Sequence, residues 1–79
     1  MELLNIEFDP LKLAAILAEK NVSQAELARK MGYTHRNIVS RIIAGRRGVT
    51  AAELMRFAVI FDKRPEHFCE RAEKVVASG

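Results

Sequence analysis

Apolar positions along the chain recur at helical spacing in five stretches, and residues that start or stop helices bracket most of them. Asp9 followed by Pro10 supplies an N-cap and a first turn, after which Leu13, Ile16 and Leu17 recur as far as Lys20. Ser23-Gln24-Ala25-Glu26 has the form of a capping box, in which the serine oxygen accepts from an orphan amide and the glutamate reaches back to the cap. Leu27, Ala28 and Met31 follow, and Gly32 stops this second helix. Thr34 is placed to cap a third helix, 34–45, with Ile38, Val39, Ile42 and Ile43 as its apolar positions and Gly45 as its stop. Thr50-Ala51-Ala52-Glu53 repeats the capping box and opens Leu54 to Phe61, which is apolar nearly all round, as a central buried helix is. Pro65 suits the first turn of a fifth helix that would carry Phe68, Ala72, Val75 and Val76 at i, i+4, i+7 and i+8. Residues 1–8 behave differently: Leu4, Ile6 and Phe8 alternate with Asn5 and Glu7 as a short strand does. A strand needs a partner edge, and an isolated one is not stable in water, so an extended N-terminal arm is the preferred reading. The expected fold is all-α: an arm over 1–8, then one five-helix bundle over 9–79.

A length of 79 residues allows one small domain and excludes a two-domain enzyme. With 49% apolar and 29% charged residues the chain has the balance of a folded protein. A chain this short buries only roughly 60% of the surface its unfolded form exposes, so a partner subunit would help it. Cys69 is the one cysteine, which excludes an internal disulfide and a zinc site; it reads as a small buried hydrophobe rather than a nucleophile. No apolar run is long enough for a membrane span, and the N-terminus begins with an acid where a secretory signal needs bases, so a cytoplasmic protein is expected. His35 and His67 stand alone, and no glycine-rich phosphate loop, paired-histidine motif or nucleophile elbow occurs. No catalytic, cofactor or metal site is expected.

Charge is unevenly placed. Residues 1–26 hold five acids and two bases, and residues 53–79 hold five of each. Residues 27–52 hold no acid and six bases, Arg29, Lys30, Arg36, Arg41, Arg46 and Arg47. An acid-free central third concentrates positive potential on whatever surface it forms and suits a polyanion partner, although charge bias alone is equally compatible with a solvated basic face.

The motif that gives this charge a purpose lies in the same third. The second and third helices are short, joined at Gly32-Tyr33, with Ala28 where two helices cross closely, which is a helix-turn-helix over about 23–45. Gly32 permits the left-handed turn that a Cβ resists. The run Ser23-Gln24-Ala25-Glu26-Leu27-Ala28-Arg29-Lys30-Met31-Gly32-Tyr33-Thr34, continued through Ile38 to Gly45, resembles the phage Cro and repressor (XRE-type) helix-turn-helix family, over about residues 11–70. The resemblance implies a lambda-repressor-like bundle of helices that binds operator DNA, usually as a homodimer. The sequence departs from that family at Leu17, where many relatives carry an arginine, and in a stretch from Ile38 to Gly45 that is one residue longer.

A recognition helix faces the base edges with its first turns, which selects His35, Arg36, Asn37 and Ser40, with Arg41 further along toward the phosphates. The resemblance puts base contacts at His35, Arg36, Val39 and Ser40 and phosphate contacts at Gln24, Thr34, Arg46 and Arg47. Arg36 can donate two parallel hydrogen bonds to guanine, and is the first choice for base readout, with a simple phosphate contact as its alternative. Gln24 opens a helix, where amides and the helix dipole favour a phosphate. His35 can donate or accept, yet its exposure at a helix start is ordinary without DNA. Val39 can touch a thymine methyl, but Ile43 one turn on makes core the better assignment.

The function these observations imply is a sequence-specific DNA-binding transcriptional regulator, a Cro-like repressor similar to small phage or mobile-element regulators, acting as a homodimer on double-stranded DNA. An antitoxin that autoregulates through the same motif while holding a toxin partner is an alternative, as is a protein-interaction module with the same fold. The dimer patch is expected from Phe68, Cys69, Ala72, Val75 and Val76, joined by the arm from Leu3 to Phe8, unless Phe68 and Ala72 close the monomer core.

Overall fold

A computed structural model describes residues 6–71 of the chain. Strand β1 (Ile6–Phe8) leads into helices α1 (Pro10–Lys20), α2 (Gln24–Met31), α3 (Asn37–Ile43) and α4 (Ala51–Phe61). A 3-10 helix, Pro65–Phe68, then runs directly into strand β2 (Cys69–Arg71).

Local chemistry sets most of these boundaries. The Asp9 carboxylate accepts from the Leu11 amide at 3.0 Å, and Ser23 Oγ accepts from the Glu26 amide at 3.0 Å. Thr50 and Glu53 make both halves of a capping box, at 3.1 and 3.0 Å; Ser23 and Glu26 make only the serine half among the described residues. All four helices end alike. Beyond each end the amide of residue 22, 33, 46 or 63 reaches back to the carbonyl of Leu17, Ala28, Arg41 or Ala58 at 2.9 Å, around a left-handed residue. That residue is Gly32 or Gly45, both at φ 78°, but Asn21 and Asp62 at the ends of α1 and α4.

The third helix differs from expectation at its start. Thr34 caps nothing: α3 begins at Asn37 without a side-chain cap, and the Ile38 and Val39 amides bond to the His35 and Arg36 carbonyls at 3.3 and 3.1 Å in a tight first turn. The cause lies at Tyr33, whose amide closes α2 and whose phenol is bonded to Glu53. Between that anchor and Asn37 the chain bends at Thr34 and is not yet helical.

The larger correction concerns the C-terminal part. Pro65 does open a helical turn, but of four residues only, and at Cys69 (φ −122°, ψ 155°) the backbone becomes extended. It pairs antiparallel with β1 in the register Ile6↔Arg71, Glu7↔Glu70, Phe8↔Cys69, and the Asp9 amide donates to the Phe68 carbonyl at 2.8 Å. The alternation of Ile6 and Phe8 thus marks a strand, whose partner edge comes from residues 69–71. The fifth helix is absent among the described residues, and the all-α bundle becomes four α-helices, a 3-10 helix and a two-stranded sheet. Ala72, Val75 and Val76, and the arm residues 1–5, lie outside the described residues.

The core gathers Leu13, Ile16 and Leu17 of α1, Leu27, Ala28 and Met31 of α2, Val39 and Ile42 of α3, and Phe57, Ala58 and Phe61 of α4. Leu17 is core where the family's arginine would stand. Phe57 lies 5.9 Å from the Phe8 ring and 6.0 Å from the Phe68 ring, so one aromatic holds β1, α4 and the 3-10 helix together. Phe68 and Cys69 are 0% and 4% exposed, which removes both from the expected dimer patch: Phe68 completes the aromatic cluster, and Cys69 lies at the start of β2 with its sulfur 3.5 Å from the Pro65 carbonyl. Burial pushes the Cys69 thiol pKa up, away from nucleophilic character. No described helix is long and apolar enough to cross a membrane.

Candidate nucleic-acid interface

Helix α2 packs on α3 through Leu27, Ala28 and Met31 on one side and Val39 and Ile42 on the other, and the small Ala28 lets the two approach. With the apolar stripes turned inward, the polar starts of both helices face outward. Ser23 at the cap of α2 with Gln24 and Ala25 in its first turn, and Arg36, Asn37 and Ser40 from α3 and the turn before it, line one open cleft of about 460 Å³. Four of the sequence-predicted contact residues, Gln24, Arg36, Asn37 and Ser40, are therefore brought together. Thr34, His35, Arg41 and Arg46 are exposed on the segments around it but do not line the cleft. His35 and Arg36 precede α3 rather than riding on it, so the outward surface combines a turn with the helix's first residues.

Two assignments change. Val39 is 0% exposed and packs in the core, so it is not a base-contacting residue; its branched side chain fills the α2–α3 contact instead. Arg47 is not free for a phosphate. Its guanidinium meets the Glu53 carboxylate end-on through Nη1 and Nη2, at 3.2 and 2.9 Å, and also donates to the Gly48 carbonyl at 3.1 Å. The other five central cations, Arg29, Lys30, Arg36, Arg41 and Arg46, remain exposed.

Chemically, the cleft offers donors and acceptors of distinct kinds. Arg36 is a forked cationic donor and Asn37 an amide with both functions. Ser40 Oγ donates to the Asn37 carbonyl at 3.0 Å, which leaves its lone pairs to accept from an outside donor. No three-residue metal-ligating group occurs among the described residues.

The Arg47–Glu53 pair was not visible in the sequence, where Glu53 carried only its role as a capping partner. Tyr33 joins it, donating its phenol hydrogen to Glu53 Oε2 at 2.8 Å, with the Arg47 guanidinium 5.5 Å from its ring centroid. Arg56 was also missed; it donates to the Met31 carbonyl at 3.2 Å and covers the negative end of α2. Both contacts cross loops, so no periodic spacing announces them. The Arg47 hydrogen bonds, with smaller help from the Thr50 amide and Tyr33, hold the Glu53 carboxyl at a pKa of about 2. Burial, reinforced by Glu53, pushes the Tyr33 phenol up to about 12.

A depressed carboxylate pKa contributes stability above its unfolded value and loses it as pH falls through the folded one. Stability should therefore decline between about pH 5 and pH 2, by about 1–2 kcal/mol from this group once solvent screening at the half-exposed Arg47 is allowed for. Urea melts across that range check it: Glu53→Gln should remove this part of the acid dependence, and a slope identical to wild type would show that another group is responsible.

A family model described as helix-turn-helix matches residues 13–68, from the buried face of α1 to the end of the 3-10 helix. No curated protein and no solved structure matches the chain.

Proposed function

The chain belongs to the XRE-type helix-turn-helix family of DNA-binding transcription regulators, and from that premise we propose that it is a Cro-like repressor that binds an operator as a homodimer. The carrying observation is the convergence on one open cleft of Gln24 with Arg36, Asn37 and Ser40, the last three from the acid-free, cationic stretch 27–52. In this reading the start of α3 enters the major groove. Arg36 takes guanine, Asn37 and Ser40 take neighbouring base edges, His35 contacts a base from the turn, and Gln24, Thr34, Arg41 and Arg46 hold phosphates. Repression needs only occupancy of the site. Dimerisation follows from information content: a helix of seven residues reads too few base pairs to find one site in a genome, and two-fold symmetry doubles them.

Selection of random duplexes by the purified protein, followed by sequencing of the bound pool, tests this directly. A near-palindrome is expected, and a pool without sequence preference would overturn the reading. On the recovered site, Arg36→Ala should flatten preference at one base pair by about 1–3 kcal/mol. Arg46→Ala should instead weaken all sequences alike and reduce the log–log salt slope by about 0.9, one phosphate's share. Exchange of the two patterns would reverse the division between base-reading and phosphate-holding residues.

A further inference from the structure

Glu53 stands on α4, outside the cleft, yet it is bonded to the chain on both sides of α3. Before the helix, Tyr33 donates to its Oε2 at 2.8 Å. After the helix, Arg47 donates to Oε1 at 3.2 Å and Oε2 at 2.9 Å, with its guanidinium lying over the Tyr33 ring. The Thr50 amide donates to Oε1 at 3.0 Å and fixes the carboxylate itself. Capping α4 requires only that last bond, so the other three need a different explanation.

Helix α3 supplies one. It has seven residues and no side-chain N-cap, too short to be stable or to hold a direction without its surroundings. Val39 and Ile42, with Ile38 and Ile43 packed beside them, anchor its apolar face in the core, which sets its depth and leaves the fine setting of its rotation to the contacts at its ends. Tethers at its two ends oppose that rotation, and both tethers end on one carboxylate.

We propose that Glu53 is the positioning residue of the recognition helix: it clasps the chain before and after α3 and so sets the angle at which Arg36, Asn37 and Ser40 are presented, a role that rests on the DNA-binding function proposed above. The clasp has an electrostatic consequence too. Arg47, neutralised by its two bonds to Glu53, is withdrawn from the attraction to phosphates, which lowers sequence-independent binding relative to base readout.

Glu53→Gln keeps the length of the side chain and an acceptor for Thr50 while removing the charge that holds Arg47; Tyr33→Phe removes a single bond and keeps the ring. In native-state hydrogen exchange, each variant should lower protection across α3 and residues 44–49 about tenfold more than in α1, whose smaller loss follows the global destabilisation. This readout uses no DNA, so it judges the clasp even if the wild-type protein shows no sequence preference, an outcome that removes the proposed function instead. On DNA, both variants should lower the ratio of specific to random-duplex affinity about tenfold, and Glu53→Gln should steepen the salt slope on random duplex by about 0.9 as Arg47 becomes available. Protection lost equally in every helix, or a specificity ratio equal to wild type in the folded variants, would reduce Glu53 to a helix cap and overturn the proposal. An unchanged salt slope would overturn the withdrawal of Arg47.

Discussion

Inserting about five base pairs, half a helical turn, between the two half-sites of the selected operator should lower affinity about a thousandfold. Two-fold related recognition helices meet the same face of the duplex when the half-sites are about one turn, roughly 34 Å, apart. Half a turn carries the second half-site to the opposite face, and a dimer of fixed geometry then engages one half-site only. The loss approaches the low end of the gap between specific and non-specific binding, because a single α3 contributes few base contacts. Titration by gel shift at constant salt measures it. Equal affinity for the intact operator, the spaced operator and an isolated half-site would show that one protomer suffices, and the dimer would have to be abandoned.

The second large effect is on stability. Phe57→Ala should leave the domain at the edge of unfolding at room temperature. Phe57 is fully buried, and its ring neighbours are Phe8 in β1 and Phe68 in the 3-10 helix, so the cavity would open where three elements meet. Such truncations cost about 3–5 kcal/mol, while a chain of this length has a total stability of about 4–12 kcal/mol. Val59→Ala, on the exposed side of the same helix, should change stability by less than about 0.5 kcal/mol and serves as the control. Urea denaturation of the two variants decides the matter: a Phe57→Ala loss below about 1 kcal/mol would mean that the aromatic cluster does not hold the strands to the bundle.

What the sequence made legible is what local chemistry decides. Asp9-Pro10, Ser23 and Thr50 announce helix starts because the capping atom lies two or three residues from the amide it serves, and Gly32 and Gly45 announce ends for the same reason. Gln24, read as a phosphate contact, and Arg36, Asn37 and Ser40, read as base contacts, come to line one cleft because a helix-turn-helix brings its two helix starts together whatever the rest of the chain does. The misreadings have non-local causes. Phe68 begins a spacing that suits a helix, but its neighbours Cys69 and Glu70 are drawn into pairing by Phe8 and Glu7, some sixty residues earlier, which no periodicity can report. Thr34 has the chemistry of a cap and fails as one because Tyr33 is anchored to Glu53, twenty residues on. Arg47 has the look of a phosphate ligand until the same carboxylate claims it.

The pairing of β1 with β2 also determines how the domain would answer mechanical load. The strands come from opposite ends of the described chain, so every helix lies inside the loop they close, and Ile6 sits across from Arg71 at the ladder's outer end. Tension on the two chain ends meets the ladder perpendicular to its strands and opens it like a zipper, Ile6 from Arg71 first and Phe8 from Cys69 last. The rungs are loaded singly rather than sheared together, so the seam yields at low force. Resistance begins at Asp9, where its amide bonded to Phe68 and the Phe68 ring tilted against Phe57 tie the seam to the helices.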